Sequence, residues 1–280
     1  MPKLLDSQQV TAFERDGFVS PVRVLSQEQA ATYRRRFESY ERAHDGWYTL
    51  SKGQKIHLLQ TWVCELVRNE SILDAVEDVL GPDIMCWGTS LFVKDARDPH
   101  YVSWHQDSTY WGLDGADVVT AWVALSPATR ASGCMKMMPG THLLDQMAHR
   151  DTLAELNLLT RGQEVTMEID ESRAVYLELA PGEISLHNVR TVHASEPNQT
   201  DGRRIGVALR YIAPHVRQGN GERDSAMLVR GEDRYGNFVH EQPPRSDMDA
   251  DALAEHRRIM RLRQDILYDG VAGKPAHLDT

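Results

Sequence analysis

The hydrophobic pattern divides the chain into three zones. Residues 1 to about 80 carry apolar positions at helical spacing, most clearly where Ile72, Leu73, Val76 and Val79 recur three or four residues apart. This zone predicts three helices, Ser7–Gly17, Ser26–His44 and Ser71–Leu80. Ser7 is the expected N-cap of the first helix, and Ser26 with Gln29 forms an expected capping box at the second.

From Ile84 onward the pattern changes to short β-rich runs separated by Gly, Pro and Asp turns. Eight strands are predicted: Ile84–Lys94, Tyr101–His105, Asp117–Ser126, Cys134–Met138, Glu164–Ile169, Val175–Leu179, Glu183–His187 and Arg204–Ile212. Few helices separate them, which favours a sandwich or jelly roll over a parallel sheet. We therefore predict a mainly β fold with flanking helices.

Residues 214–280 are polar and predict one helix, Asp249–Leu267. No long linker interrupts the chain, so we predict a single domain over residues 1–280. Its parts are an N-terminal helical layer (1–80), a jelly-roll core (81–213) and a polar C-terminal extension (214–280).

Composition narrows the class of protein. The net charge of −10 disfavours a nucleic-acid partner, and no apolar run approaches the length of about 20 residues that a membrane span needs. The N-terminus lacks the apolar core of a secretory signal, and the three cysteines form no CxxC pair. We expect a cytoplasmic protein that acts on a small molecule, while the pattern gives no oligomeric state.

His-x-Asp pairs occur three times, and their contexts differ. His149/Asp151 is typical of a solvated loop, and His277/Asp279 lies in the last four residues. His105/Asp107 instead ends a β-rich run, where residues two apart project to the same side. This pair is a candidate metal site, with the alternative that His105 is a core histidine and Asp107 begins a turn.

A third ligand and a nearby cation strengthen the metal hypothesis. His193 follows a late β-rich run, and two histidines with one carboxylate form the open triad of non-haem Fe(II) oxygenases. Arg204 begins the last strand, and its planar guanidinium suits the carboxylate of a 2-oxo acid. A zinc hydrolase would not need Arg204, and a jelly roll that only binds metal or ligand is a further alternative.

Several segments in this order carry a family resemblance. They are Gly81-Pro82-Asp83-Ile84, Leu91–Lys94, Trp104-His105-Gln106-Asp107, Thr120–Leu125, Gly133 with Pro139-Gly140-Thr141-His142, and His193-Ala194-Ser195 with Asn198 and Arg204. Over roughly residues 8–213 the sequence resembles the phytanoyl-CoA dioxygenase (PhyH)-type Fe(II)/2-oxoglutarate oxygenases. The resemblance implies a double-stranded β-helix, the cupin-like jelly roll.

The resemblance also implies ligands and co-substrates. His105, Asp107 and His193 would bind Fe(II). Arg204 would hold the 5-carboxylate of 2-oxoglutarate, and the pocket would also contain Ser195, Trp122 and Ser90. A further contact would come from Lys55, His57 or Gln60, whereas Lys94 would be structural. Dioxygen is the other co-substrate, and succinate and CO2 are the implied by-products.

The resemblance leaves the reaction outcome and the substrate more open. Asp107 stands where related halogenases have a small residue, so hydroxylation of an unactivated C–H bond is expected over halogenation, with cyclisation or desaturation as alternatives. The expected substrate contacts are Gln106, Tyr110, Trp111 and Arg190, beneath a lid formed by residues 141–163. Acyl-CoA thioesters, amino or phosphonic acids and secondary metabolites all fall within the family's range.

Overall fold

The computed structural model describes residues 2–44, 54–159, 161–219, 221 and 223–267. Its α-helices are α1 (Ser7–Asp16), α2 (Gln27–Ala43), α3 (Thr61–Val67), α4 (Glu70–Leu80), α5 (Ser108–Trp111) and α6 (Ala250–Leu267). The three helices predicted near the N-terminus are present, and α6 matches the predicted C-terminal helix. The capping box of α2 is confirmed, but Asp6 caps α1 in place of Ser7.

The sequence pattern did not predict α3. Five of its seven residues are buried, so only Thr61 and Glu65 form a polar face and the amphipathic pattern is weak. Three short 3₁₀ segments lie at Ile56–Leu58, Thr141–Leu143 and Glu171–Arg173.

Fifteen strands lie within the described residues. They are β1 (Phe18–Arg23), β2 (Ile84–Lys94), β3 (Val102–His105), β4 (Leu113–Asp114), β5 (Val118–Ala124), β6 (Met135–Met137), β7 (His149–Asp151), β8 (Gln163–Val165), β9 (Val175–Tyr176), β10 (Glu183–Asn188), β11 (His193–Ser195), β12 (Arg204–Ile212), β13 (Arg217–Gln218), β14 (Ser225–Arg230) and β15 (Val239–His240).

Two main sheets form the body of the protein. The major sheet has the order β1-β10-β5-β12-β2-β14-β15, and the minor sheet has the order β3-β11-β6-β9. Strands distant in sequence are neighbours, as in β1 beside β10 and β3 beside β11. The predicted jelly roll is confirmed.

The two faces of the major sheet differ in chemistry, as strand β12 illustrates. Ile205, Val207, Leu209 and Tyr211 pack into the main hydrophobic core together with residues of α1 to α4. The alternate residues include Arg204 and Arg210, and on this inward face Ala208 and Trp122 pack toward residues of the minor sheet. Charged side chains are therefore enclosed between the two sheets.

Both ends of the chain contribute to the major sheet, which the sequence pattern did not predict. Strand β1 lies in the zone predicted to be helical, and β14 lies in the zone predicted to be a polar extension. The buried Glu241, just after β15, accepts hydrogen bonds from Lys55, His57 and Ser225. In the described part of the chain, no helix is long and apolar enough to cross a membrane.

Candidate metal and co-substrate site

Strand pairing brings His105 and His193 together. They are direct partners across the antiparallel pair β3/β11, and their ring centroids lie 4.1 Å apart. Asp107 follows the end of β3 in a helical backbone conformation, so it reaches the cluster through a turn and not by strand alternation. One potential ligand atom from each of the three residues lies within 4.8 Å of the other two.

Hydrogen bonds fix which nitrogen of each histidine faces the cluster. His105 Nδ1 donates to the carbonyl of Ser103 and His193 Nδ1 to that of Thr191, both at 2.9 Å. Each Nε2 therefore carries a free lone pair, as a metal ligand requires. His105 Nε2 lies 3.4 Å from Asp107 Oδ1. Two acceptor nitrogens and a carboxylate face one another, an arrangement that suits a divalent cation.

The protonation states agree with this donor set. Burial, together with the neighbouring His105, lowers the pKa of His193 to about 3. Burial raises the pKa of Asp107, but the neighbouring His105, His193 and Arg210 outweigh it and leave that pKa below its usual value. At neutral pH the cluster therefore has a neutral imidazole and a carboxylate, which need lose no proton to bind metal.

A second feature of the enclosed space is an excess of positive charge. Arg204 is only 2% exposed, and Lys94 lies directly opposite it on β2. Within the described residues, no carboxylate forms an ion pair with either side chain. Arg204 Nη1 donates to the carbonyl of Gly133 at 2.5 Å, while its Nε has no partner there. A buried guanidinium and a buried amine, neither paired with an anion, suit a carboxylate ligand.

Ser195 and Trp122 border this cationic pair. Lys94 Nζ donates to Ser195 Oγ at 2.8 Å, and the Arg204 guanidinium lies 5.4 Å from the centroid of the Trp122 ring. The ring occupies the space beside Gly206, where an added Cβ would lie 1.9 Å from a ring atom. Glycine at position 206 thus lets Trp122 lie flat against β12 near Arg204. Arg204, Ser195 and Trp122, the three residues that the resemblance implied, thus lie near one another.

Ser90 and the candidates upstream of the core have different environments. Ser90 lies opposite Ala208 on the inward face, but its hydroxyl accepts a hydrogen bond from Arg210 at 2.7 Å and not from Arg204. Lys55 and His57 are engaged by Glu241 on the other side of the sheet, beside Thr89. Their polar atoms therefore do not face Arg204. Gln60 is buried, and its Nε2 has no hydrogen-bond partner among the described residues.

Gln106, predicted to contact substrate, braces the adjoining loop. Its Nε2 donates to the carbonyl of Arg190 at 2.8 Å, and its Oε1 accepts from Met147 N at 2.8 Å and from Gln146 Nε2 at 3.0 Å. His149 Nε2 also accepts from the backbone amide of Gln106 at 3.0 Å. These bonds fasten the predicted lid, residues 141–163, to the metal motif.

The remaining predicted substrate residues fall into three cases. Trp111 stacks beneath the Arg210 guanidinium, with its ring centroid 4.9 Å away. Arg190 is half-buried, and no carboxylate in the described ranges pairs with it. The side chain of Tyr110 lies outside the described part of the structure.

Sequence reasoning missed three polar residues on the inward face. His187, Thr120 and Arg210 lie side by side on β10, β5 and β12. His187 Nε2 is 4.0 Å from Asp107 Oδ2, and burial lowers the pKa of His187 to about 4. Polar residues inside otherwise apolar strands were the available signal, but their convergence depends on strand register.

The inward face holds an unusual number of orphaned polar atoms. Five buried atoms there lack a hydrogen-bond partner among the described residues: Arg204 Nε, Arg210 Nε, Thr120 Oγ1, Ser185 Oγ and His187 Nδ1. Each orphaned group costs roughly 1–3 kcal/mol. A polar ligand bound at this face would satisfy them.

Comparison with known proteins agrees with this geometry. The family model of phytanoyl-CoA dioxygenase (PhyH) matches residues 13–206. A probable alpha-ketoglutarate-dependent hypophosphite dioxygenase of Stutzerimonas stutzeri is 28% identical over 185 residues, which cover 64% of each chain. The matches span less than two thirds of the length of such curated relatives.

Solved structures extend the likeness to nearly the whole chain. The non-heme monooxygenase ThoJ is 37% identical with a TM-score of 0.84, covering 93% of this chain and 98% of ThoJ. Its nickel complex gives 36% identity and a TM-score of 0.80, covering 94% of this chain and 100% of that one. CytC3 with Fe(II) and alpha-ketoglutarate shares the fold at 23% identity and a TM-score of 0.65, covering 89% and 97%.

The family match covers more than half of the chain and includes all three residues of the cluster. The chain therefore belongs to the phytanoyl-CoA dioxygenase (PhyH) family, whose members are 2-oxoglutarate-dependent non-haem iron dioxygenases.

Proposed function

We propose that this protein is an Fe(II)/2-oxoglutarate-dependent dioxygenase that hydroxylates an unactivated C–H bond of a small molecule and releases succinate and CO2. The observation that carries the proposal is the convergence of His105, Asp107 and His193 beside the unpaired cation of Arg204. The named substrates of the relatives, among them hypophosphite, phytanoyl-CoA and ectoine, are chemically unlike one another, so none is transferred to this chain.

Each residue has a defined part in this proposal. The Nε2 atoms of His105 and His193 and the carboxylate of Asp107 would hold Fe(II). The bound iron would supply the oxidation of the substrate by dioxygen and 2-oxoglutarate. Arg204 would bind the 5-carboxylate of 2-oxoglutarate with Ser195 beside it, and Trp122 would shield this ion pair from water, which strengthens it.

The proposed reaction is tested by the fate of 2-oxoglutarate and by the product. With Fe(II), dioxygen and a substrate panel, we expect succinate release that depends on all three co-reactants. Under labelled dioxygen in chloride buffer, the product should carry one labelled oxygen and no chlorine, because Asp107 would hold the metal where related halogenases have a small residue. A chlorinated product, or no consumption of 2-oxoglutarate with any substrate, would contradict the proposal.

Removing the Arg204 guanidinium should weaken co-substrate binding. Truncating one partner of a buried charge pair costs on the order of 2–5 kcal/mol, so Arg204→Met should raise the apparent constant for 2-oxoglutarate about 30-fold or more. Arg203→Met is the matched control, since Arg203 pairs with Glu41 at 2.8 Å. An unchanged constant in Arg204→Met would assign the carboxylate to another residue.

Binding of 2-oxoglutarate should also depend on pH through Lys94. Burial beside Arg204 lowers the pKa of Lys94 to about 6, so this amine is neutral at about pH 8 in the free protein. A carboxylate bound nearby favours the protonated amine and raises this pKa. Binding should then take up a proton, and the affinity should fall as pH rises above about 6.

Calorimetric titration of the anaerobic Fe(II) protein in two buffers of different ionisation enthalpy measures this proton uptake. Lys94→Met should abolish the uptake while leaving metal binding intact. Equal proton uptake in both proteins would place the titrating group elsewhere.

We also propose a cytoplasmic location. Cys64, Cys86 and Cys134 are all free and buried, which is consistent with a reducing compartment.

A further inference from the structure

Arg210 is half-buried between the sheets and has no ion-pair partner in the described part of the chain. Its Nη1 donates to Ser90 Oγ at 2.7 Å, the Trp111 ring lies beneath the guanidinium, and its Nε is unpartnered. Part of the Arg210 surface remains solvent-accessible, so the side chain borders a space that water can reach. A buried guanidinium with a free donor beside such a space is poised for an anion.

Two further unpartnered polar atoms lie beside it. Thr120 on β5 is the direct partner of both His187 on β10 and Arg210 on β12, so the three residues form one row across the inward face. Thr120 is 2% exposed and His187 is 1% exposed, and neither Thr120 Oγ1 nor His187 Nδ1 has a hydrogen-bond partner within the described residues. Three side chains thus each present a free polar atom in one row.

The row borders the proposed metal cluster but is separate from the 2-oxoglutarate site. The His187 ring centroid lies 5.0 Å from that of His193, and His187 Nε2 lies 4.0 Å from Asp107 Oδ2. Arg204 and Arg210 are six residues apart on the same strand, which separates their Cα atoms by roughly 20 Å. The two guanidinium groups therefore cannot grip the same carboxylate.

We propose that Arg210, Thr120 and His187 form a subsite that binds a carboxylate group of the primary substrate and so positions that substrate beside the metal cluster. This inference rests on the proposed function and specifies its substrate class as small carboxylic acids. Arg210 supplies the positive charge, Thr120 and His187 supply additional hydrogen bonds, and Trp111 forms the apolar wall. Asp107 is one of the proposed metal ligands, so the carboxylate of the bound substrate would serve as the counter-ion of Arg210.

The test uses the full-length protein loaded anaerobically with Fe(II) and saturating 2-oxoglutarate, whose visible charge-transfer band reports changes near the metal. Propionate is titrated as the probe, with propanamide as its neutral counterpart and inorganic phosphate as a different anion. We expect saturable perturbation of the band by propionate and none by propanamide. An equal response to propanamide, or a response to phosphate without one to propionate, would overturn the carboxylate assignment.

Variants separate this role from a purely structural one. Arg210→Met should weaken propionate binding about 10-fold or more while changing the constant for 2-oxoglutarate by less than about threefold. Arg210→Lys keeps the charge without the planar guanidinium, so its affinity for propionate should lie between those of the unmodified protein and Arg210→Met. The isosteric Thr120→Val should weaken the binding of propionate but not that of 2-oxoglutarate. Arg203→Met should behave as the unmodified protein.

The possible failures are distinguishable. If the band does not form in the unmodified protein, the proposed function is wrong and this inference falls with it. If the band forms but does not respond to propionate, or if Arg210→Met binds propionate normally, only the inference is wrong. If Arg210→Met loses iron or 2-oxoglutarate, then Arg210 serves the metal or the co-substrate and the subsite assignment is overturned.

Discussion

Replacing His193 with alanine should reduce succinate formation more than about 100-fold, because residues that merely support a metal ligand already contribute 10- to 100-fold. The same loss is expected for His105→Ala, since His105 and His193 are direct partners on adjacent strands and would hold the same ion. Iron content after gel filtration, measured with a colorimetric chelator, should fall in parallel with the activity. Circular dichroism checks that each variant keeps its fold.

Two control histidines sharpen this experiment. His215→Ala removes a half-exposed imidazole that pairs with Asp117, and it should leave iron content and turnover unchanged. His187→Asn alters a buried histidine next to the cluster and should keep its iron. If His187→Asn lost iron while His193→Ala retained it, the assigned ligand set would be wrong.

Glu241→Gln should destabilise the protein by about 3–5 kcal/mol, because it leaves the Lys55 charge buried without its partner. The side chains of Lys55 and Glu241 are each only 1% exposed, and Glu241 also accepts a hydrogen bond from His57 at 2.9 Å. Urea denaturation monitored by tryptophan fluorescence gives the change in the free energy of unfolding. Glu232→Gln, at an exposed ion pair, should change it by less than about 0.5 kcal/mol.

The same cluster predicts a pH dependence of stability. Burial raises the pKa of Glu241, but Lys55 and His57 outweigh it and lower that pKa to about 2, against 4.5 for an ordinary glutamate. A depressed carboxyl pKa stabilises the fold above the ordinary value, and this stabilisation is lost as pH falls from about 4.5 toward 2. Glu241→Gln should flatten the stability profile in this window. A destabilisation below about 1 kcal/mol, or an unchanged profile, would show that the ion pair contributes little.

The hydrophobic pattern predicted most of the longer helices and strands, because the apolar residues within each element determine its type. The runs Ile84–Lys94 and Arg204–Ile212 were predicted with the observed bounds, because each is a long, mainly apolar stretch that is typical of a buried strand. Strands β1 and β14 were missed because each is short and finds its antiparallel partner more than 100 residues away. Helix α3 was missed because it is short and only Thr61 and Glu65 form its polar face.

The residues of the candidate site also differ in whether local sequence could predict them. His105, Asp107, His193 and Arg204 stand in recognisable local segments, so the resemblance could point to them. His187 and Arg210 lie on strands separated by β5, and only the register through Thr120 makes them neighbours. Gln106 was assigned to substrate because it adjoins the ligands, yet it braces the loop that contains Met147. Local sequence cannot distinguish these two roles, because the partner lies about 40 residues away.

The five orphaned polar atoms on the inward face bear on how long the protein survives in a cell. A ligand that satisfies them binds only the folded state, so saturation at 100 times its dissociation constant would stabilise that state by about 2.7 kcal/mol. Proteases act mainly on unfolded chains, and a change of this size alters steady-state abundance several-fold. The amount of this protein should therefore follow the cell's supply of 2-oxoglutarate and of the proposed carboxylate substrate, so that scarcity of these molecules lowers the amount of the catalyst as well.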